Sequence, residues 1–366
     1  MNGEKWKSSV IVPEFSDLGV DCYRLRGDYL NEYYILSEAE TRKLLNRPEV
    51  VGYEVYKCLI NATAQMMYHL KEQKKVTNAN ILSILRGALN YPLEESCYRE
   101  HIRVHDISFL SSERVFDEAG NISGLDVKYS KLAVVPDSTL LIGDIIASGE
   151  TLVHCLKYVI DCYRAHNAKL RNIVIFTIGG TKGIDITEKL TEDIRAYWPE
   201  FEGFVVVYYE GIFSCYEEGD KGVSGINIPN IDFIWRGGIV TPAYRRETLS
   251  TRNTLFEKCI IYDGGARRYE ISDHIHEVLE FWEGILERAD DIDFHALLEE
   301  KLGHSTDISY ADWVADNHYG ELDEAMCRFL YNQERGYVNS LEGITLKEIA
   351  EQRISEFKSA LKKYMA

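Results

Sequence analysis

The stretch Leu140-Leu141-Ile142-Gly143-Asp144-Ile145-Ile146-Ala147-Ser148-Gly149-Glu150-Thr151-Leu152 decides how this chain is read. An apolar run of strand length ends at a single acidic residue, turns through a Ser-Gly pair and enters a helix that begins near Thr151 and runs to about His166. Strands that hand over to helices in this way build parallel sheets, and ligands collect at the carboxyl edge of such sheets. The open N–H groups of the helix start favour an anion, and Gly149 lets the backbone approach it closely. Ser148 and Thr151 add hydroxyl donors, which suits a phosphate. Asp144 suits a second group on the same ligand, because a carboxylate accepts hydrogen bonds from two vicinal hydroxyls. Phosphate beside a diol describes a ribose 5-phosphate. The same residues also satisfy a plainer pattern, in which Asp144 caps the turn and Ser148 and Thr151 cap the helix.

Outward from this segment, short apolar runs alternate with helical or polar stretches. Strands are expected at 81–85, 102–110, 125–132, 139–142, 173–178 and 204–209, then at 233–240 and 259–262. This alternation predicts an α/β fold with a doubly wound, mostly parallel sheet. Before it, Leu36, Ala39, Leu44 and Leu45, then Val55, Leu59, Ile60, Ala64, Met67 and Leu70, recur at helical spacing. After it, the pattern is helical from Tyr269, ending in the amphipathic stripe Leu346, Ile349, Ala350, Ile354, Phe357, Leu361 and Tyr364. The chain thus divides into a mainly helical N-terminal extension (1–79), an α/β core (80–265, with a candidate hood at 226–265) and a C-terminal helical region (266–366).

Composition narrows the function. With 366 residues, 45% hydrophobic and 27% charged, the chain can bury a large core. Its net charge of −18 argues against clamping a nucleic-acid backbone, so any polyanion must be gripped locally. Neither a signal peptide at the start nor a run near the roughly 20 apolar residues of a membrane span is present, which gives a soluble, cytoplasmic expectation. The eight cysteines are scattered singly without a CxxC pair, so packing rather than metal binding or catalysis is expected of them. No Gly-x-Gly-x-x-Gly fingerprint follows the first clear strand, which speaks against dinucleotide-dependent redox chemistry.

Residues 140–152 resemble the phosphoribosyl-pyrophosphate signature of the type I phosphoribosyltransferases: four apolar residues, two acidic ones, two apolar ones, a variable position, then Thr/Ser-Gly-x-Thr. The likeness implies that Asp144 binds the ribose hydroxyls and a Mg2+ ion. It implies that Ser148, Gly149, Glu150 and Thr151 cradle the 5-phosphate, with Ile145 and Ala147 beside them in the substrate site. Upstream, the strand at 81–85 followed by Arg86 and Gly87 resembles the pyrophosphate loop of the same family, where Arg86 would meet the departing pyrophosphate and Gly87 would present its N–H. The polar segment 111–124 resembles the mobile loop that closes over the site, with Arg114 as its cation; a plain solvated hairpin fits the same residues. Lys182, after the glycine pair Gly179-Gly180, would border the phosphate or sugar. Tyr209, near Tyr208, Glu210 and Phe213, would stack on an acceptor base; core packing explains the same aromatics. Trp235, Arg236, Gly237, Gly238 and Tyr244 are further candidates for the acceptor wall.

Three positions depart from the family pattern. Gly143 stands where the first acidic residue belongs, Ala147 stands where purine-6-oxo enzymes carry an Asp, and Glu150 introduces a carboxylate into the phosphate loop. The resemblance therefore implies a magnesium-dependent phosphoribosyltransferase of nucleotide metabolism, a homodimer acting on phosphoribosyl pyrophosphate and an unidentified acceptor other than hypoxanthine or guanine. Gly143 keeps a second reading open, a non-catalytic nucleotide-sensing or interaction protein that retained the phosphate loop.

Overall fold

The computed structural model describes residues 5–76, 78–85, 91–116, 122–216, 219–226, 233–258 and 270–365. Ten strands form one sheet: β1 (Val10–Asp17), β2 (Val20–Arg26), β3 (Glu32–Ser37), β4 (Ala79–Ile84), β5 (Val104–Phe116), β6 (Ile122–Lys131), β7 (Ser138–Ile146), β8 (Leu170–Gly180), β9 (Phe204–Cys215) and β10 (Phe233–Val240). Their order is β1-β2-β3-β9-β8-β7-β4-β5-β6, with β10 added antiparallel to the far end of β9. Every pair from β3 to β5 is parallel; β1–β2, β2–β3 and β5–β6 are antiparallel. The central strands are nearly continuous apolar runs because both of their faces are covered, as in β7, where seven of nine residues are buried.

Helices cover both faces. Before β4 come α1 (Ala39–Asn46) and α2 (Tyr53–Glu72), and α3 (Tyr91–Arg99) follows β4. Then come α4 (Glu150–Ala165), α5 (Lys182–Arg195) and α6 (Pro242–Thr248). The C-terminal region is α7 (Ile271–Arg288), α8 (Phe294–Leu302), α9 (Tyr310–Asp316), α10 (Glu324–Ser340) and α11 (Leu346–Met365). One face packs α2, α3, α7, α8 and α11 against Leu141, Phe176, Val207 and Tyr209. The other packs α4, α5, α9 and α10 against Ile142, Ile175, Val206 and Tyr208. The α4 stripe Leu152, Cys155, Leu156, Val159, Ile160 and Tyr163 shows the helical spacing that fixes its buried side.

The fold is thus the doubly wound α/β sheet read from the sequence, with two differences in detail. The N-terminal region is helical over α1 and α2, but residues 10–37 add three strands to the main sheet. Leu18 and Gly19 turn the β1–β2 hairpin with φ of 45° and 81°, while Asp17 pairs with Val20, the two-residue turn that matches strand twist. The segment expected as a loop at 111–124 instead continues the β5–β6 ladder to Phe116↔Ile122. The strand expected at 259–262 lies outside the described residues. Among those residues no helix is long and apolar enough to cross a membrane, and no cluster of three metal-ligating side chains gathers.

Candidate functional site

The chain leaves β4 through α3 toward β5 and leaves β7 through α4 toward β8, in opposite directions along the sheet. Strand order therefore reverses between the neighbours β4 and β7, and the crevice at the carboxyl ends of two such strands is where open α/β sheets bind ligands. Strand β4 pairs with β7 through Leu82↔Ile142 and with β5 through Ile84↔Leu110. Of the two segments that the sequence assigned to phosphate groups, 147–149 follows β7 at this edge, and 86–87, next in the chain after Leu85, lies outside the described residues.

The β7–α4 corner has the geometry that an anion cradle needs. Gly149 is the N-cap of α4 in the left-handed region, φ 74°, and no side chain caps the helix. The positive φ favours glycine here, and a Cβ at this position would also displace the tip of Ile186 on α5. The first α4 hydrogen bond runs from Val153 N to Gly149 O, 3.0 Å. Ser148, Glu150 and Thr151 are exposed, whereas Ala147 and Gly149 are buried. Hydroxyls and the Glu150 carboxylate thus lie on the solvent side, where the carboxylate can turn away from an anion at the amides. Asp144 and Ile145 are half-buried, and Asp144 Oδ1 accepts from Ile145 N at 2.8 Å. Burial, and after it the nearby Asp144 charge, push the Cys155 thiol up while a hydrogen bond with Ser112 opposes them, which disfavours the thiolate and suits the packing role expected of the cysteines.

The other sequence-derived candidates are distributed as follows. Lys182 is exposed at the first position of α5, on the strand end next to the corner. Arg114 lies within β5, opposite Leu125 in the hairpin ladder. Arg86 and Gly87 fall outside the described residues; Leu85, before them, donates its N–H to Leu110 O at 2.7 Å and is 42% exposed. Tyr209 does not join the corner. Its side chain is fully buried on the opposite face of the sheet from Tyr208, its hydroxyl shares a 2.6 Å hydrogen bond with Thr63 of α2, and its ring stands 6.4 Å from Phe176. In this structure it is a core residue without an open ring face. Trp235, Arg236, Gly237 and Gly238 lie in β10, and Tyr244 is buried in α6 against Phe213, ring centroids 5.7 Å apart.

Glu210 is the buried group whose importance the sequence did not signal. Between Thr177↔Tyr208 and Gly179↔Ile212 strand β9 carries two more residues than β8, and Glu210 sits in that bulge with φ 63°. Its carboxylate accepts from Ser37 Oγ (2.6 Å), Glu38 N (2.8 Å), Thr241 Oγ1 (3.0 Å) and Thr41 Oγ1. Burial pushes it up to about 7 against the pull of these donors. It fastens β3, α1 and the start of α6 to the strand that rises above the carboxyl edge. A Glu at a strand end is a common exposed residue, so only the tertiary contacts reveal this one.

No protein-family model and no curated protein matches the chain. Among solved structures it is similar to an adenine phosphoribosyl transferase from Trypanosoma brucei in complex with AMP, pyrophosphate and ribose-5-phosphate, at 10% identity over 48% of this chain and 83% of that chain, TM-score 0.32. It is similar to the hypoxanthine-guanine phosphoribosyl transferase of L. donovani, at 14% identity over 37% of this chain and 78% of that one, TM-score 0.29. It is similar to a hypoxanthine phosphoribosyltransferase from Staphylococcus aureus, at 14% identity over 34% and 65%, TM-score 0.27. Each likeness covers less than half of this chain.

Proposed function

We propose that this chain is a phosphoribosyltransferase-like enzyme, which transfers ribose 5-phosphate from phosphoribosyl pyrophosphate to a nucleophile and releases pyrophosphate. The observation that carries the reading is the αL turn at Gly149, flanked by the exposed Ser148, Glu150 and Thr151 at a topological switch point, with Asp144 near the end of the adjoining strand. The amides of the 148–151 turn take the 5-phosphate, assisted by the Ser148 and Thr151 hydroxyls. Asp144 orients the ribose hydroxyls. Mg2+ commonly binds through one or two carboxylates plus substrate phosphates, and Asp144 with pyrophosphate oxygens suits that donor set; the ion would neutralise the leaving group. Arg86 and Gly87, at the end of the neighbouring strand, are assigned to pyrophosphate, and Arg114 on the β5–β6 hairpin to closure over the site. The protein's part is to position reactants and stabilise the cation-like sugar and the departing anion.

A second reading rests on Gly143. It is buried in β7 with no side chain, so one carboxylate of the signature is missing beside Asp144. A protein that binds the ligand and senses it without turnover would look the same at this corner.

Titration calorimetry with phosphoribosyl pyrophosphate and Mg2+ tests both readings. Binding is expected in the wild type and should weaken roughly 10- to 100-fold in Asp144→Asn and Thr151→Ala, the loss for a hydrogen bond to a charged group. Pyrophosphate release on supplying a panel of bases supports the enzyme; binding without release for any acceptor supports the sensor. No binding by the wild type sinks both.

A further inference from the structure

A loop that turns its amides toward an anion must send its carbonyls to the opposite side, and buried carbonyls need donors there. Near Ile146, where β7 enters this loop, the structure holds two hydroxyls that can serve as such donors. Thr177 Oγ1 and Tyr208 Oη are fully buried and have no hydrogen-bond partner among the described residues. The two residues are register neighbours, Thr177↔Tyr208 on β8 and β9, and Thr177 is in turn paired with Asp144 on β7. Register partners in a parallel sheet share a face, so Asp144, Thr177 and Tyr208 form one polar row across three strands, on the face that carries α4 and α5.

Both hydroxyls lie close under Ile146, the last residue of β7. The point where Gly179 would carry a Cβ is 3.0 Å from Thr177 Oγ1 and 3.1 Å from Ile146 O. The point where Gly183 would carry one is 2.7 Å from Tyr208 Oη and 3.4 Å from Ile146 Cγ2. Glycines at both places add no side chain of their own, and the side chain that borders the space is that of Ile146, its Cβ 3.2 Å from the first point. An orphaned buried hydroxyl is costly, and two of them beside one strand end call for another state of the loop that satisfies them.

We propose that Thr177 and Tyr208 are positioning residues of the phosphate loop, whose hydroxyls donate to carbonyls of residues 146–148 when an anion draws the loop amides toward itself. Neither touches the substrate; each holds the backbone that does. The inference rests on the reading of this corner as an anion cradle.

Removing the hydroxyls without changing shape separates a positioning role from a structural one. Ribose 5-phosphate is titrated into the wild type, Thr177→Val, Tyr208→Phe and Thr177→Ser, and the melting temperature of each is recorded. Thr177→Val and Tyr208→Phe should bind roughly 2- to 10-fold more weakly, the range for one neutral hydrogen bond, while melting at or above the wild-type temperature because an orphan has gone. Thr177→Ser should recover most of the affinity. Wild-type binding with equal affinity in both hydroxyl-free variants overturns this inference alone, as does a fall in melting temperature that parallels the loss of affinity. Absence of wild-type binding removes the anion cradle and the inference together.

Discussion

Glu210 shows how one side chain can tie stability to pH. In the unfolded chain its carboxyl has the ordinary value of 4.5, whereas burial raises it to about 7 in the fold. Between those values the folded state keeps a proton that the unfolded chain releases, so stability falls as pH rises through this window and levels off above it. Glu210→Gln carries no such proton, and its melting temperature should decline less than that of the wild type across the same range. Parallel curves would mean that the carboxyl is already ionised in the fold and that its four donors outweigh desolvation. At this scale the sequence was informative where backbone geometry demands one residue type, as at Gly149. It was uninformative for Glu210, Thr177 and Tyr208, whose meaning lies in neighbours that are distant along the chain, and it left Tyr209 open between base stacking and core packing, since strand alternation alone does not say which face looks into the crevice.

Elements were legible in proportion to the strength of their period. The buried parallel strands and the stripe of α4 stand out, because continuous apolar runs and helical spacing are strong signals. The β1–β2 hairpin was missed because Leu18-Gly19 lacks the usual Asn-Gly signature, although its φ angles are of that type. The last helix, α11, was legible from its apolar stripe, but its polar anchor was not. Arg353 Nη2 meets Glu49 Oε1 at 3.1 Å, and the same guanidinium meets Glu257 and Glu356. Glu257 also accepts from Trp282 Nε1 of α7 at 3.0 Å, and burial raises its carboxyl to about 7 against the pull of Arg353. Replacing Arg353 by Ala leaves Glu257 buried beside another carboxylate, and the loss of stability should be about 3–5 kcal/mol by denaturant unfolding. The loss should deepen above pH 7, where Glu257 would be charged without its partner. An unchanged midpoint would assign the docking of α11 to its apolar stripe alone.

At the scale of the whole molecule, the described residues form one sheet between two cores, and each core draws on all three regions of the sequence. On one face, Val55 and Met66 of the N-terminal region and Val174 and Phe176 of the α/β core pack with Trp282, Ile349 and Phe357 of the C-terminal region. On the other, Ile11 and Tyr33 join Ile142 and Val206 with Trp313 and Leu330. Strand β3 is hydrogen-bonded directly to β9, so the N-terminal region completes the sheet rather than leaning on it. A division at 79 and 265 would therefore cut through both hydrophobic layers and expose the edge of β9, a template for aggregation. Two consequences follow for experiment. The full chain should melt in one cooperative calorimetric transition, with van't Hoff and calorimetric enthalpies in agreement. A fragment spanning 80–265 should keep far-UV circular dichroism but lose near-UV signal, bind a hydrophobic dye and fail to bind ribose 5-phosphate, because Glu210 loses Ser37, Thr41 and Glu38 as donors and the strand above the site loses its brace. A fragment that melted cooperatively and bound the ligand would instead make the flanking regions accessories, and the search for the acceptor pocket would then narrow to residues 80–265.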